Sequence, residues 1–231
     1  MKRIAAFVAC IVLGTGLAHA APVLDVDKGR TVLDTSYTAA QHSEKYYTYS
    51  GSTVTRKVDG YNTGYTLYYG FNNGTSGSLG LSNIRPKAFY DGLGDHYTTP
   101  NADVASFSVQ RKIHDNAAMF VSYKYITGDW TYEKFSEGPA KTGKNDARHV
   151  AGVGLVGYKK ASDSFGTYAK TGIGNGYQEY EVGFTFQSGS STLKVGYNYQ
   201  KIENLHNSLY ATSSEMDLAS SGVTVGFNYK F

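Results

Sequence analysis

A single cysteine, Cys10, occurs among 231 residues, which excludes a disulfide framework. No stretch after the amino terminus approaches the roughly 20 consecutive apolar residues of a membrane-spanning helix, so a helical anchor in the body of the chain is excluded too. Neither charge dominates. Lys and Arg number 22 against 19 Asp and Glu, and Lys2 and Arg3 supply part of the difference. That balance fits neither a nucleic-acid-binding surface nor an acidic tail. No shift in composition marks a linker, so the chain reads as one domain. Catalytic patterns are also missing. No serine sits in a nucleophile motif, no cluster of His, Cys, Asp and Glu has metal-ligand spacing, and no glycine-rich loop opens a helix to cradle a phosphate.

What the chain holds in quantity is glycine, 27 residues, and tyrosine, 21. Tyrosine joins a ring suited to apolar surroundings to a hydroxyl suited to water, the combination favoured where a membrane meets water. At the amino terminus Lys2 and Arg3 precede an apolar run from Ile4 to Gly14, and Ala18-His19-Ala20 precedes Ala21-Pro22. A basic start, a short apolar middle and small residues before a cleavage point predict a signal peptide over residues 1–20 and an exported domain over residues 21–231. Cys10 as a lipoprotein cysteine is the competing interpretation. The Phe7-Val8-Ala9 context and the apolar run beyond Cys10 speak against it.

The carboxy terminus carries a strand pattern. Val223, Val225, Phe227, Tyr229 and Phe231 alternate with small or polar residues, which puts one apolar and one hydrophilic face on the same segment. Left bare in water, that apolar face would invite aggregation, so something apolar has to cover it. The alternation recurs at 33–39, 61–71, 79–81, 105–109, 119–125, 151–155, 180–186 and 193–199, and more weakly at 165–173. Turn formers such as Asn72-Asn73-Gly74-Thr75-Ser76 and Gln187-Ser188-Gly189-Ser190-Ser191 join these segments into hairpins. Ten strands result. Eight follow if the segments at Leu33 and Phe165 are not members, and twelve if Tyr46-Tyr47-Thr48-Tyr49 makes its own hairpin. Connections after the second, fourth, sixth and eighth strands are short. Those after the first, third, fifth and ninth are long and polar, with Gly174-Asn175-Gly176 a short exception.

A chain ending on Phe after such an alternation resembles the closing strand of bacterial outer-membrane β-barrels, the class that includes porins and opacity proteins. The resemblance implies an all-β, transmembrane, antiparallel up-and-down barrel in the outer membrane, with short periplasmic turns and long external loops. It further implies that Phe227, Tyr229 and Phe231 form the signal read by the barrel-assembly machinery, and that outer-membrane lipid and lipopolysaccharide are partners. It fixes no oligomeric state. A negative mean hydropathy, −0.36, is compatible with such a barrel because only every second residue of a strand meets lipid. Arg111 is the one charged residue on the expected lipid face, beside a periplasmic turn where its stem can carry the charge to the headgroups. A soluble β-sandwich is the alternative, but it explains neither the signal, nor the terminal Phe, nor the uneven loops.

Inward positions include Asn62, Tyr68, Ser122, Lys124, Lys170, Glu179, Glu181, Lys194, Asn198 and Asn228. These residues either pair into a polar plug or line a narrow channel for small solutes, and about eight strands leave room only for packed side chains. Inward glycines, among them Gly154, Gly183 and Gly196, either thin the contents of the lumen or permit tight bending with tyrosines laid over them. The loops at 128–146 (Trp130, Tyr132, Phe135) and 203–220 (Leu205, Leu209, Tyr210, Met216, Leu218) make surface adhesion the alternative function. Of the mature histidines, His42, His96, His114, His149 and His206, only His149 lies at the root of a strand. Asp146, three residues earlier, falls on the opposite face of an extended chain. No enzyme activity, cofactor or metal is therefore expected.

Overall fold

The computed structural model describes residues 26–47, 53–87, 89–90, 95–97, 101–134, 141–207 and 214–231. The expected signal peptide lies outside them, as do Phe135, Leu209 and Tyr210. In chain order the strands are β1 (Thr31–Tyr47), β2 (Thr53–Asn72), β3 (Thr75–Pro86), β4 (Phe89–Tyr90), β5 (Asp95–Tyr97), β6 (Ala102–His114) and β7 (Ala117–Thr127). There follow β8 (Asp129–Lys134), β9 (Lys141–Lys144), β10 (Arg148–Lys160), β11 (Phe165–Gly174), β12 (Tyr177–Ser188), β13 (Ser191–Asn207) and β14 (Ser214–Lys230). Ten of them close into an antiparallel barrel in the order β1-β14-β13-β12-β11-β10-β7-β6-β3-β2. Because β1 pairs with both β2 and β14, the barrel has no free edge. The ten are the strands read from the sequence. The eight- and twelve-strand alternatives fall, since both Leu33 and Phe165 lie in barrel strands and Tyr46 and Tyr47 belong to β1.

The hairpins close as their turn residues require. Asn73-Gly74 joins β2 to β3 and Asn175-Gly176 joins β11 to β12, with Gly74 and Gly176 at φ of 85° and 68°. The positive φ falls on the second turn residue, where glycine adopts it without the penalty a Cβ would bring. The short connection after the seventh barrel strand is thus a true tight turn, at the end of the barrel opposite Asn73-Gly74.

Strand length corrects the expectation about loops. β1, β13 and β14 run 17 residues and β2 runs 20, whereas a tilted strand crosses the hydrocarbon in about 9–11. Much of what the sequence offers as long loops after the first and ninth strands is barrel wall standing above the membrane. On β2 the outward side chains pass from exposed Tyr61, Tyr65, Leu67, Tyr69 and Phe71 to Thr55, Lys57 and Asp59, and on β13 from Tyr197 and Tyr199 to Lys201 and Glu203. Inside, the order is reversed. Leu205, Met216 and Leu218, assigned above to a loop, are buried strand residues. The connections holding β4, β5, β8 and β9 form a separate four-stranded sheet, order β4-β5-β8-β9, which the alternation did not announce.

Candidate functional site: the barrel interior

At the periplasmic end, residues 26–30 tuck against the inward face of β2. Gly29 N–H donates to Gly70 O (2.9 Å), Gly70 N–H donates to Arg30 O (3.1 Å), and Val26 is fully buried. A side chain on Gly70 would collide with the backbone of Val26 and Asp27. Asp27 also pairs with Lys230 of β14. Asn228, fully buried, stands opposite Thr192 on one neighbour and Asp34 on the other.

The middle of the lumen holds the charges. Lys194 of β13 reaches Asp34 of β1 at 2.7 Å, and Tyr168 donates to Glu181 at 2.5 Å. Glu179 accepts from Lys124 (3.4 Å), Lys170 (3.1 Å) and the Tyr177 hydroxyl (3.0 Å), and Gln200 donates to that hydroxyl at 2.9 Å. Lys124 also stands over the Tyr177 ring, 4.4 Å from its centroid. Three carboxylates, Asp34, Glu179 and Glu181, therefore share this layer with three ammonium groups, Lys124, Lys170 and Lys194. Bare charges here would cost several kcal/mol each; Asp34 is met by Lys194, Glu179 by Lys124 and Lys170, and Glu181 by the Tyr168 phenol. Asp34 was missing from the sequence list, although its place between Leu33 and Thr35 already puts it on the inward face.

The remaining inward residues divide between partners and space. Asn62 donates to the Ser220 hydroxyl at 2.7 Å. Tyr68 and Ser122, with Ser106, Ser108 and the Lys124–Glu179 pair, line a cavity of about 60 Å³. Asn198 stands opposite Glu181 in the β12–β13 ladder. The glycines do not thin the lumen; they make room in it. Cβ atoms at Gly183 and Gly196 would come within 2.9 and 2.8 Å of Tyr168, and one at Gly154 would meet Phe120. Large rings lie where side chains are absent on the facing strand.

The external half of the lumen holds an apolar cluster, with His42 and Glu44 of β1 buried beside it. Ile84, Ala102, Val104, Ile126, Val150, Tyr177, Ile202, Leu205, Met216 and Leu218 form one buried cluster from seven strands. Ala40 and Val58 are buried on the inward faces of β1 and β2. Sequence reasoning missed this cluster because it followed only the outward apolar face.

Other named residues lie outside the lumen. His149 faces outward, its Nδ1 2.5 Å from the Tyr123 hydroxyl and its ring 5.2 Å from that of Tyr125, among the aromatics of the external girdle. It is not aimed at any inward acid. Phe227 and Tyr229 are on the outward face of β14, and Tyr229 packs edge-on against Phe231 at 4.8 Å. Arg111 is exposed at the periplasmic end of β6. Charged residues such as Arg85 and Asp103, which pair with each other, also face outward, at the external rim. Among the described residues no group of His, Cys, Asp and Glu is arranged to hold a metal.

A closed antiparallel cylinder that is apolar outside and paired, polar and apolar inside is a transmembrane β-barrel. No protein-family model and no curated protein sequence matches the chain. Solved structures do match. The outer-membrane protease OmpT of Escherichia coli is 11% identical with a TM-score of 0.55, the match covering 87% of this chain and 97% of that one. Ail, the attachment invasion locus protein of Yersinia pestis, solved with the heparin analogue sucrose octasulfate, is 13% identical with a TM-score of 0.46, over 88% and 99%. Neisserial surface protein A is 11% identical with a TM-score of 0.40, over 88% and 100%. The shared property is the fold, that of the small bacterial outer-membrane β-barrels.

Proposed function

We propose that residues 21–231, released from a signal peptide at residues 1–20, form an outer-membrane barrel with a plugged lumen that acts as a rigid stalk and not as a porin. The observation that carries this reading is the buried apolar cluster from Ile84 to Leu218 across the external half of the lumen. Water and ions would have to cross it after leaving a charge layer already neutralised within itself. In this reading Asn62, Tyr68, Ser122, Lys124, Lys170, Glu179, Glu181, Lys194, Asn198 and Asn228 serve as internal struts. Phe227, Tyr229 and Phe231 serve as the recognition end for the assembly machinery. Strands of 17–20 residues lift the external loops clear of the lipid, which favours surface recognition as the role of the β4-β5-β8-β9 sheet.

The test is conductance. Purified barrel reconstituted in planar bilayers is expected to give no discrete steps, whereas a variant with Ile126, Ile202 and Leu218 all changed to Ser gives small ones. Steps from the native protein would restore the narrow-channel alternative. A mobility difference between unboiled and boiled samples in a detergent gel checks that the barrel is closed in both proteins.

A further inference from the structure

We infer that the outer wall of the barrel carries a saccharide groove where β13, β14, β1 and β2 meet, taking the neutral core sugars of the glycolipid around it; this rests on the outer-membrane reading. A cavity of about 360 Å³ opens there, lined by Ser43, Lys45, Thr55, Lys201, Glu203 and Asp217, within the size range of small-ligand sites. It faces away from the lumen. Lys201 stands two residues beyond Tyr199, the last outward aromatic of β13, which sets the groove just above the hydrocarbon, at the level of glycolipid sugars.

A regular β wall has no such hollow, and here a local distortion makes one. The β13–β14 register shifts between Ile202 and Leu205, and Asn204 adopts φ of 53°. A left-handed asparagine costs free energy and marks a position the surroundings hold in place. The Asn204 N–H donates to Asp217 Oδ1 (3.1 Å), and Arg148 Nη1 holds the Asn204 carbonyl (3.1 Å). Asp217 is only 7% exposed although it points outward. Lys201 Nζ bridges Asp217 Oδ2 (3.3 Å) and Glu203 Oε1 (2.7 Å).

The chemistry selects the ligand. Lys45 and Lys201 balance Glu203 and Asp217, so a phosphate would meet two carboxylates along with the ammonium groups. A sugar hydroxyl both donates and accepts, and suits carboxylate and ammonium alike.

The experiment titrates detergent-refolded barrel by calorimetry with dephosphorylated core oligosaccharide split from lipopolysaccharide, with whole lipopolysaccharide in mixed micelles, and with inorganic phosphate. The expected result is saturable oligosaccharide binding, competed by whole lipopolysaccharide and not by phosphate, weakened at least tenfold in Asp217→Asn and unchanged in Lys159→Met at the periplasmic end. Thr55→Trp, which fills the groove without touching a buried charge, should weaken it equally. No saturable binding, displacement by phosphate, or native affinity in Thr55→Trp would each overturn the assignment. If the gel shift shows an intact barrel in those cases, the membrane reading stands and the groove alone fails; if no barrel forms, both fail.

Discussion

Glu179 is the residue on which the middle layer turns, because two ammonium groups and a phenol converge on one carboxylate buried to 12% side-chain exposure. Neutralising it leaves Lys124 and Lys170 enclosed with no carboxylate at Glu179 to answer them. Glu179→Gln is therefore expected to destabilise the barrel by about 3–5 kcal/mol, measured as urea unfolding in micelles or as a lower temperature for the gel mobility change. Gly166 offers a second test at this scale, since the atoms a Cβ would meet there all belong to the Tyr158 side chain. Gly166→Ala should cost about 1–3 kcal/mol in the native chain and clearly less beside Tyr158→Ala, a coupling that a double-mutant cycle reads directly. Glycine inside this barrel acts as a socket.

Along single strands the apolar residues change sides, and this decides how much was legible. On β14 they occupy even positions at Met216 and Leu218, then odd ones at Val223, Val225 and Phe227; on β13 they run odd from Leu193 to Tyr199 and then even at Ile202. The reversal follows from the surroundings. Where lipid lies outside, the apolar face points out; where water lies outside, the apolar face must point in. A strand read as one unbroken alternation is therefore cut at the reversal, which is why ten strands could be recognised while the upper parts of β1, β2, β13 and β14 passed for loops. The charged interior was legible because Lys124, Lys170, Glu179, Glu181 and Lys194 lie on the lower, regular stretch. Who pairs with whom was not, since that depends on register between strands. Val121→Arg, in the lipid belt, is expected to cost about 2–4 kcal/mol. Lys57→Leu, outward but above the belt, should leave refolding stability nearly unchanged, and equilibrium refolding into vesicles compares the two.

As a whole the molecule is a closed wall between two seals, Val26 near the periplasm and the apolar cluster above, with the balanced charges between them. Its closure rests on the β1–β14 ladder, and Asp27 and Lys230 fasten that ladder at the foot. Asp27→Asn is expected to leave the fold intact and to lower the temperature of the gel mobility change by a few degrees, because the pair is solvent-facing and exposed pairs contribute little. The same ladder sets the two ends of the described chain side by side, for the Phe231 N–H donates to the Thr31 carbonyl at 2.9 Å. A circular permutant, with its old termini spliced by a short peptide and new ones opened between Ala161 and Ser164, would keep every strand next to its present neighbours. Its aromatic tail would then be an internal bend. Such a molecule should refold in detergent yet fail to be inserted in cells, separating what makes the cylinder from what delivers it.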